Sequence, residues 1–337
     1  MKIAISGYYG YGNLGDEAVL EATRLGLRKY FPEASLTVLS SKNHNPFNLV
    51  NEIRSADLLL SGGGSLFQDA TSSRSFFYYI GIIFLAKLFR KRVVVFAQGF
   101  GPLKKKLNQT IARIILDQVD LILLRDEGSK ERLIKIGITK PPTRVTGDAA
   151  GLLKCRNKET GSGILKLEGI GLNRPIVGVA LRKAANPKVM ARQLDILAEK
   201  YKLLTVFLLF QPAVDTEPAV EVAELMKKKS AVVFRHCAPQ EMLSLYGCFN
   251  YFIGMRLHSL IFAALAGVPM VGVSYDPKVS AFMDWLGQPF IDLSNPSNLA
   301  LKFDQVVKDK EQIKDILTEK SKEMAEKAEL NFKYLGG

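Results

Sequence analysis

The side chains best suited to chemistry lie in the second half of the chain, within residues 254–259, Gly-Met-Arg-Leu-His-Ser. A histidine imidazole exchanges protons near neutral pH, and an arginine guanidinium binds a carboxylate or phosphate through two parallel hydrogen bonds. His258 and Arg256 stand two residues apart, where a predicted strand is followed by a predicted helix. We therefore predict an acid–base group beside an anion-binding group. A histidine that only caps the helix is the competing interpretation.

A second cation follows the next predicted strand. Lys278 lies in the segment 274–279, Ser-Tyr-Asp-Pro-Lys-Val, directly after a strand at residues 270–274. The carboxyl ends of parallel strands meet at one edge of a sheet, and ligands bind there. We expect Lys278 to point toward the same site as His258, although a solvent-exposed lysine fits the position equally well.

Three glycine-rich segments each follow a predicted strand in the first half of the chain, at residues 7–16, 62–65 and 98–102. Glycine lets the backbone approach a ligand closely, and the free N–H groups at the start of a helix attract anions. These segments therefore predict anion or sugar contacts, with turns needed only for packing as the alternative. The predicted contact residues are Gly12, Asn13, Gly15, Asp16, Gly63, Gly64, Ser65, Gln98 and Gly99.

Residues 10–15 match the GxGxxG fingerprint of dinucleotide-binding proteins. That fingerprint is accompanied by an acidic residue near the end of the second strand, which holds a ribose hydroxyl. Here the second predicted strand, residues 36–40, ends in Ser40-Ser41-Lys42. The segment therefore favours an anion or sugar contact over a dinucleotide.

Short apolar runs alternate with amphipathic segments along the whole chain, a pattern typical of βαβ units around parallel sheets buried on both faces. Strands are predicted at residues 2–6, 36–40, 56–61, 92–98 and 119–125, and again at 176–181, 203–210, 231–234, 251–254 and 270–274. The predicted fold class is α/β, with two Rossmann-like doubly wound domains facing a cleft. Such a cleft is the usual ligand site of this architecture.

Prolines and glycines interrupt the pattern between residues 138 and 175, which predicts the linker between domains. We place an N-terminal Rossmann-like domain at residues 1–165 and a C-terminal one at residues 170–300. The charged helical stretch at residues 301–337 is predicted to pack back on the N-terminal domain.

The chain of 337 residues is 47% apolar and has a net charge of +13. The charge predicts anionic partners, whether phosphate substrates, nucleic acid or an anionic membrane. Its three cysteines form no CxxC or Cys/His cluster, which argues against disulfides and structural zinc and favours a reducing, cytoplasmic location. The N-terminal residues 1–6 are predicted to form a strand rather than a signal peptide. No carboxylate or histidine motif for a metal is visible, so activity without metal is expected.

Residues 76–86 are apolar throughout but would form only about 16 Å of helix, too short to cross a bilayer. The simpler interpretation is a helix buried against the first sheet. The alternative is a contact with the inner face of a membrane, in which Lys87, Arg90, Lys91 and Arg92 meet anionic lipid. A non-catalytic nucleic-acid binder is disfavoured, because acids are interspersed among the basic residues and no recognition motif occurs.

Residues 254–264, 267–269 and 275–279 together resemble the signature of the polysaccharide pyruvyl transferase family. They are most similar to its bacterial branch that modifies cell-wall polysaccharide. The segments 7–17, 62–69 and 98–102 also resemble that branch, as do Arg125-Asp126 with Ser129 and the strand-end Arg182. The resemblance spans roughly residues 1–290.

The resemblance implies a fold similar to the B-type glycosyltransferases, with phosphoenolpyruvate as donor and no separate cofactor. Pyruvate would become a ketal across O4 and O6 of N-acetylmannosamine in a lipid-linked wall-polysaccharide precursor, with release of phosphate. In bacteria with surface layers, such a ketal anchors surface-layer homology domains. His258 would be the general acid, Arg256, Lys278 and Arg125 would bind the donor, and Arg182 would contact the acceptor.

A nucleotide-sugar-dependent glycosyltransferase or epimerase of the same architecture is the alternative function. Such an enzyme needs an acidic residue in the second domain to hold a ribose, and residues 260–268 contain neither aspartate nor glutamate.

Overall fold

A computed structural model describes residues 1–39, 45–69, 73–182 and 186–336. The chain divides into two compact units. The N-terminal unit comprises Met1–Tyr11, Asp16–Leu152 and Met324–Gly337, and the C-terminal unit comprises Gly12–Gly15 and Leu153–Glu323. The main boundary therefore follows Leu152, upstream of the predicted boundary at residue 165. The four residues Gly12–Gly15, which include the first two residues of a helix, group with the C-terminal unit.

The N-terminal unit is built on a six-stranded parallel sheet of order β2-β1-β3-β4-β5-β6. Its strands are β1 (Lys2–Ser6), β2 (Ser35–Leu39), β3 (Leu58–Gly64), β4 (Arg92–Gln98), β5 (Leu121–Leu124) and β6 (Thr143–Val145). Its helices are α1 (Leu14–Tyr30), α2 (Pro46–Ser55), α3 (Ser73–Leu88), α4 (Lys106–Leu116) and α5 (Glu127–Lys135), and a 3₁₀ turn spans Ala149–Leu152. The strand order reverses at β1, so the loops after β1 and β3 lie at the switch point where such sheets bind ligands.

The C-terminal unit repeats the plan with the order β12-β11-β10-β7-β8-β9, again parallel throughout. The strands are β7 (Ile176–Ala180), β8 (Leu204–Leu208), β9 (Ser230–Val233), β10 (Tyr251–Gly254), β11 (Met270–Ser274) and β12 (Phe290–Asp292). The helices are α6 (Lys158–Leu167), α7 (Pro187–Tyr201), α8 (Pro212–Leu225), α9 (Pro239–Tyr246), α10 (Leu257–Leu265), α11 (Pro277–Leu286) and α12 (Leu299–Lys308), with a 3₁₀ turn at Pro296–Asn298. The last helix, α13 (Lys310–Gly336), begins in this unit, and its part from Met324 onward groups with the N-terminal unit. Here β7 lies between β8 and β10, which places the switch point at the ends of those strands.

Burial explains why these segments form strands. All residues of β3, β7, β8, β10 and β11 are buried, because helices cover both faces of each sheet. The continuous apolar runs of the sequence are the signature of that environment, and the predicted α/β class with two Rossmann-like units is confirmed.

Several details differ from the prediction. The three-residue strands β6 and β12 have no long apolar run and were not predicted, and the helix α6 lies inside the predicted linker. The glycines 62–64 are the last residues of β3 rather than a loop after it. The described part of the second strand ends at Leu39, and Ser40, Ser41 and Lys42, on which the argument against a dinucleotide depends, lie outside the described residues.

The apolar segment at residues 76–86 lies in α3. Its inner side chains, including Phe76, Ile80 and Ile83, are buried in the core of the N-terminal unit, whereas Phe77 and Phe84 are exposed. The prediction of a helix packed against the first sheet therefore holds for one face only. Within the described residues, no helix combines the length and the apolar character that crossing a bilayer requires.

Candidate functional site

The strand ends of the C-terminal unit carry charged and aromatic side chains. After β10 ends at Gly254, Arg256 occupies the N-cap position of α10 and His258 is the second residue of that helix. The competing interpretation, a histidine that caps the helix, is not what the structure shows, since the cap position belongs to Arg256.

Arg256 is held by a buried carboxylate. Its Nη2 and Nε donate to Oδ1 of Asp215 at 2.5 and 3.1 Å, and Nη2 also lies 3.3 Å from Oε1 of Gln211. The Arg256 and Asp215 side chains are 10% and 2% exposed, respectively. Asp215 is itself fixed, because its Oδ2 accepts from the backbone N–H of Gln211 at 2.8 Å. The guanidinium is therefore rigid and its charge is matched, and none of these contacts uses its Nη1 group.

Sequence reasoning missed Asp215 and Gln211. Both follow the carboxyl end of β8, and Asp215 lies in the first turn of α8. The rule that selected Arg256 and Lys278, a polar side chain directly after a buried strand, would have selected them too.

His258 packs against the backbone of the first glycine-rich loop. Its imidazole fills the space in which a Cβ on Gly15 would stand, with Cγ 2.8 Å and Cβ 2.9 Å from that position. The loop is fixed on both sides: Leu14 N–H donates to the carbonyl of Phe210 at 2.7 Å, and Gly15 N–H donates to Oδ1 of Asn13 at 3.1 Å. The structure therefore brings Asn13, Gly15 and His258 together within the C-terminal unit, and any side chain at residue 15 would displace the imidazole.

Arg182 and Tyr275 form a second pair at the strand ends. Nη1 of Arg182 donates to the Tyr275 hydroxyl at 2.7 Å, and the guanidinium carbon lies 4.9 Å from the centroid of the tyrosine ring. The backbone N–H of Arg182 donates to Sδ of Met255 at 3.3 Å. These contacts join the ends of β7, β10 and β11 and orient Arg182 as a half-buried cation.

Lys278 is tied to the cap of its own helix. The Asp276 side chain accepts from the backbone N–H of Lys278 at 3.1 Å, and the Lys278 ammonium lies 3.3 Å from Oδ2 of Asp276. The lysine side chain is 30% exposed, so it can leave this partner for a ligand at small cost. A cavity of about 590 Å³ opens beside this helix start. It is lined by Ser274, Tyr275, Asp276, Pro277, Ser280, Asp292, Leu293 and Ser294.

In the N-terminal unit the corresponding cation is Arg125, which follows β5. Its Nε lies 3.0 Å from Oδ2 of Asp126, its Nη1 lies 3.6 Å from Oδ2 of Asp148, and its Nη2 donates to the Ser65 hydroxyl at 3.2 Å. The side chain is 7% exposed, and its guanidinium carbon stands 2.5 Å from where a Cβ on Gly99 would be. The structure therefore brings Ser65, Gly99 and Arg125 together, with the arginine charge facing two carboxylates.

Asp126 shows how this arrangement acts on a carboxyl group. Burial alone would raise its pKa, but the Arg125 guanidinium and the hydrogen bonds from Ser129 hold the pKa of Asp126 below its usual value. The carboxylate also caps α5 by accepting from the backbone N–H of Ser129 at 2.7 Å. Asp126 is thus charged in the folded protein over a wider pH range than a free aspartate.

Steric constraints within the N-terminal unit explain why residues 63 and 64 of β3 are glycines. Gly63 has a φ of +42° and Gly64 a φ of +83°, and a Cβ on Gly64 would lie 2.8 Å from Oδ1 of Asp16. A Cβ on Gly63 would collide with Val19. The packing interpretation therefore accounts for Gly63, whereas Gly64 brings bare backbone next to a carboxylate.

Two further predicted contact residues have separate settings. Gln98 is fully buried, and its amide, oriented to satisfy both partners, donates to the Gly63 carbonyl at 3.0 Å and accepts from Leu66 N–H at 2.9 Å. It braces the end of β3. Gly12 has a φ of +72° and open space around the position of a Cβ, as a backbone contact for a ligand requires.

In the part of the chain that the structure describes, no three histidine, cysteine, aspartate or glutamate side chains gather as a group that could hold a metal ion.

The model of the polysaccharide pyruvyl transferase family matches residues 13–277, which include most of the C-terminal site. The chain belongs to this family. The match confirms the predicted resemblance, and the family is one of transferases, which confirms the predicted enzyme class. The chain is also similar to "Amylovoran biosynthesis protein AmsJ" of Erwinia amylovora, with 23% identity over 263 residues. That alignment covers 71% of this chain and 61% of the relative. The chain therefore spans less than two thirds of the length of this relative.

Solved structures with the same fold include the UDP-GlcNAc 2-epimerase of Neisseria meningitidis bound to UDP-GlcNAc, with a TM-score of 0.67 and 13% identity over 99% of both chains. Alr3699/HepE of Anabaena, in complex with UDP and glucose, gives a TM-score of 0.65 and 13% identity over 100% of this chain and 98% of its own. At such low identity these likenesses show the fold alone, and they confirm the predicted similarity to B-type glycosyltransferases.

Proposed function

We propose that this family member transfers pyruvate from phosphoenolpyruvate to a sugar of a lipid-linked cell-wall polysaccharide precursor. The product is a 4,6-ketal, N-acetylmannosamine is the proposed acceptor sugar, and phosphate is released. The observation that supports this most directly is the placement of His258, whose imidazole lies against Gly15 and which follows Arg256, the partner of Asp215, by two residues. A proton donor next to a fixed anion-binding group is what an anionic enol ester requires.

The donor is a small molecule with a carboxylate and a phosphate, so its site needs several cations. In the C-terminal unit, Arg182 and Lys278 are partly exposed, and the contacts of Arg256 with Asp215 and Gln211 use its Nε and Nη2 groups. We assign the donor to Arg256 and Lys278, and Arg182, which is half-buried against Tyr275, stays a predicted acceptor contact. Arg125, in the N-terminal unit, stays a predicted donor contact whose charge already faces Asp126 and Asp148.

The proposed reaction balances with His258 as general acid. The imidazolium donates a proton to the methylene carbon of the donor, and C2 becomes an oxocarbenium-like electrophile. A sugar hydroxyl attacks C2 and its proton returns to His258. Phosphate then leaves, and the second hydroxyl attacks the same carbon, losing its proton to the departing phosphate. Positioned proton transfer of this kind contributes about 10²- to 10⁴-fold to a rate.

The deciding experiment combines the purified protein with phosphoenolpyruvate and an acceptor that ends in N-acetylmannosamine. We expect equal amounts of released phosphate and of a product that has gained one pyruvate ketal, measured by mass spectrometry. The same assay with UDP-GlcNAc separates the alternative, a nucleotide-sugar enzyme, because that activity would need no phosphoenolpyruvate. Turnover in the presence of a chelator is also expected, since we propose that the reaction uses no metal or cofactor.

His258→Ala should lower turnover by about 10²-fold or more, because the proton donor is lost. The matched control is His236→Ala, which removes an exposed histidine that follows β9 and should leave turnover unchanged. Full activity of His258→Ala in a folded protein would overturn the assignment of the acid.

We propose a cytoplasmic enzyme that works at the inner face of the membrane, where a lipid-linked acceptor would be held. The scarcity of cysteine supports the reducing compartment. If the acceptor is the wall polymer of a bacterium with a surface layer, the ketal would serve as an anchor for that layer.

A further inference from the structure

The outer surface of α3 and α4 is unusually apolar for a solvent-facing surface. Five large apolar side chains on these two helices are 43–65% exposed. They are Phe77, Phe84, Leu88, Leu107 and Ile114, and we call this set the α3–α4 face.

The five side chains share one side of the N-terminal unit. On α3 the exposed residues 77, 84 and 88 repeat at helical spacing, as do residues 107 and 114 on α4. The inner side chains of both helices, such as Phe76 and Ala112, belong to one core cluster. Because α3 and α4 contact each other and pack inward on that same core, their outer side chains point away from it together.

The segment of the chain that forms this face is strongly basic. Between Asp69 and Asp117 the sequence contains no aspartate or glutamate, although the whole chain has 33. The same stretch contains nine basic residues, so it supplies +9 of the net charge of +13. The nine are Arg74, Lys87, Arg90, Lys91, Arg92, Lys104, Lys105, Lys106 and Arg113.

The basic residues border the apolar side chains. Lys104, Lys105 and Lys106 are exposed at the start of α4, and Arg90 is exposed just beyond the end of α3. Two carboxylates lie beside these basic residues. Asp120 forms a 2.9 Å ion pair with Lys87, and Asp69 accepts from the backbone N–H groups of Lys104 and Lys105 at 2.8 and 3.0 Å. An apolar surface with a mainly basic border is complementary to a layer of anionic headgroups over hydrocarbon.

We propose that the α3–α4 face binds the surface of an anionic lipid bilayer. Phe77, Phe84 and Leu88 enter the boundary between headgroups and acyl chains, and the lysines at the start of α4 meet lipid phosphates. The helices lie on the membrane rather than cross it. This proposal extends the proposed function by naming the surface that would bring the enzyme to a lipid-linked acceptor. It rests on the proposed function only in assuming that the acceptor is lipid-linked.

The test is flotation of the full chain with vesicles of phosphatidylcholine alone or with about one third phosphatidylglycerol. We expect binding to the anionic vesicles only, weakening as salt rises. Phe77→Ser with Phe84→Ser, and separately Lys104→Glu with Lys106→Glu, should each lower the partition coefficient by about tenfold or more. Since these side chains are exposed, the thermal midpoint should not change. The control is Lys166→Glu with Leu167→Ser on α6, which alters an exposed basic and an exposed apolar residue elsewhere.

Equal binding by the variants and the wild type, or no binding of the wild type, would overturn this proposal. So would a wild-type dimer without lipid that the Phe77/Phe84 variant converts to monomers, because the face would then be a protein interface. The reaction is scored separately on a soluble acceptor, where the surface variants should keep full turnover. If the protein binds vesicles but has no activity, the proposed function is rejected and the proposal that the α3–α4 face binds anionic lipid is retained.

Discussion

The carboxyl ends of the strands carry different kinds of groups in the two sheets. In the N-terminal unit, strand ends present bare backbone at Gly64 and Gly99, and the cation Arg125 is sealed by two carboxylates. In the C-terminal unit, the strand ends present side chains, among them His258 and the half-buried Arg182. The same doubly wound plan thus yields one sheet edge of bare backbone with a buried cation and one sheet edge with histidine and arginine side chains.

Both units use the same device to position a functional side chain. Arg125 occupies the space above Gly99, and His258 occupies the space above Gly15, so in each case a glycine makes room for the side chain. The difference lies in the ion pairs behind them. Arg256 depends on one deeply buried carboxylate, Asp215, whereas the charge of Arg125 is shared between a buried and a half-exposed aspartate.

The largest effect is expected when Asp215, the single buried partner of Arg256, is replaced. Asp215→Asn leaves the Arg256 charge uncompensated in a buried position and should lower the free energy of unfolding by about 3 kcal/mol. The measurement is denaturant unfolding. The double variant Asp215→Leu with Arg256→Met should recover most of the loss, because it removes both charges. A double variant no more stable than Asp215→Asn would contradict this account of the pair.

The second largest effect is expected for Gly15→Ala. It should lower kcat by about 10²-fold, because the new methyl group displaces the imidazole of His258. Alanine suits the first turn of α1, but its methyl group would also lie 2.9 Å from the Cβ of His258, so the thermal midpoint should fall as well. Gly163→Ala in α6, where a Cβ meets nothing within 4 Å, is the matched control. An active Gly15→Ala enzyme would show that the contact between Gly15 and His258 does not position the acid.

Lys278→Ala should raise KM for phosphoenolpyruvate by about tenfold and leave kcat nearly unchanged, since a half-exposed lysine contributes to donor binding as a point charge. Steady-state kinetics over a range of donor concentrations measure this. Lys166→Ala, an exposed lysine on α6, should change neither constant. Unchanged saturation by the donor in Lys278→Ala would remove the lysine from the donor site.

The smallest effect is expected at Asp126, the half-exposed partner of Arg125. Since its pKa is lowered in the folded protein, its charge adds stability above the unfolded pKa of about 3.9, and this is lost as pH falls through the folded pKa. Asp126→Asn keeps a good N-cap, so it should cost only about 0.5–1 kcal/mol at pH 7. The difference should shrink in acid, measured by unfolding at several pH values, and a constant difference would contradict the charge effect.

The sequence predicted those elements whose signal is local. Long apolar runs located β1, β4, β10 and β11 at the residues where the structure has them. The edge strands β6 and β12 were missed, because three residues beside solvent need no apolar run. The helix α6 lies within the segment that the sequence predicts as a linker, because its glycines are more typical of irregular structure.

The candidate site also contains residues that the sequence could identify and contacts that it could not. Arg256, His258 and Lys278 could be chosen because each directly follows a buried strand. Asp215 could not be paired with Arg256 from the sequence, because 41 residues separate them and nothing local links them.

The sequence by itself determined the α/β class, the family and the strand ends at which the candidate site residues lie, because periodicity and short motifs are properties of neighbouring residues. Only the tertiary structure decided that Gly15 belongs with His258, that Arg256 is neutralised by Asp215, and that one face of α3 is left exposed. Each of these depends on which distant segments meet, and that is set by the packing of whole sheets and helices rather than by any local pattern.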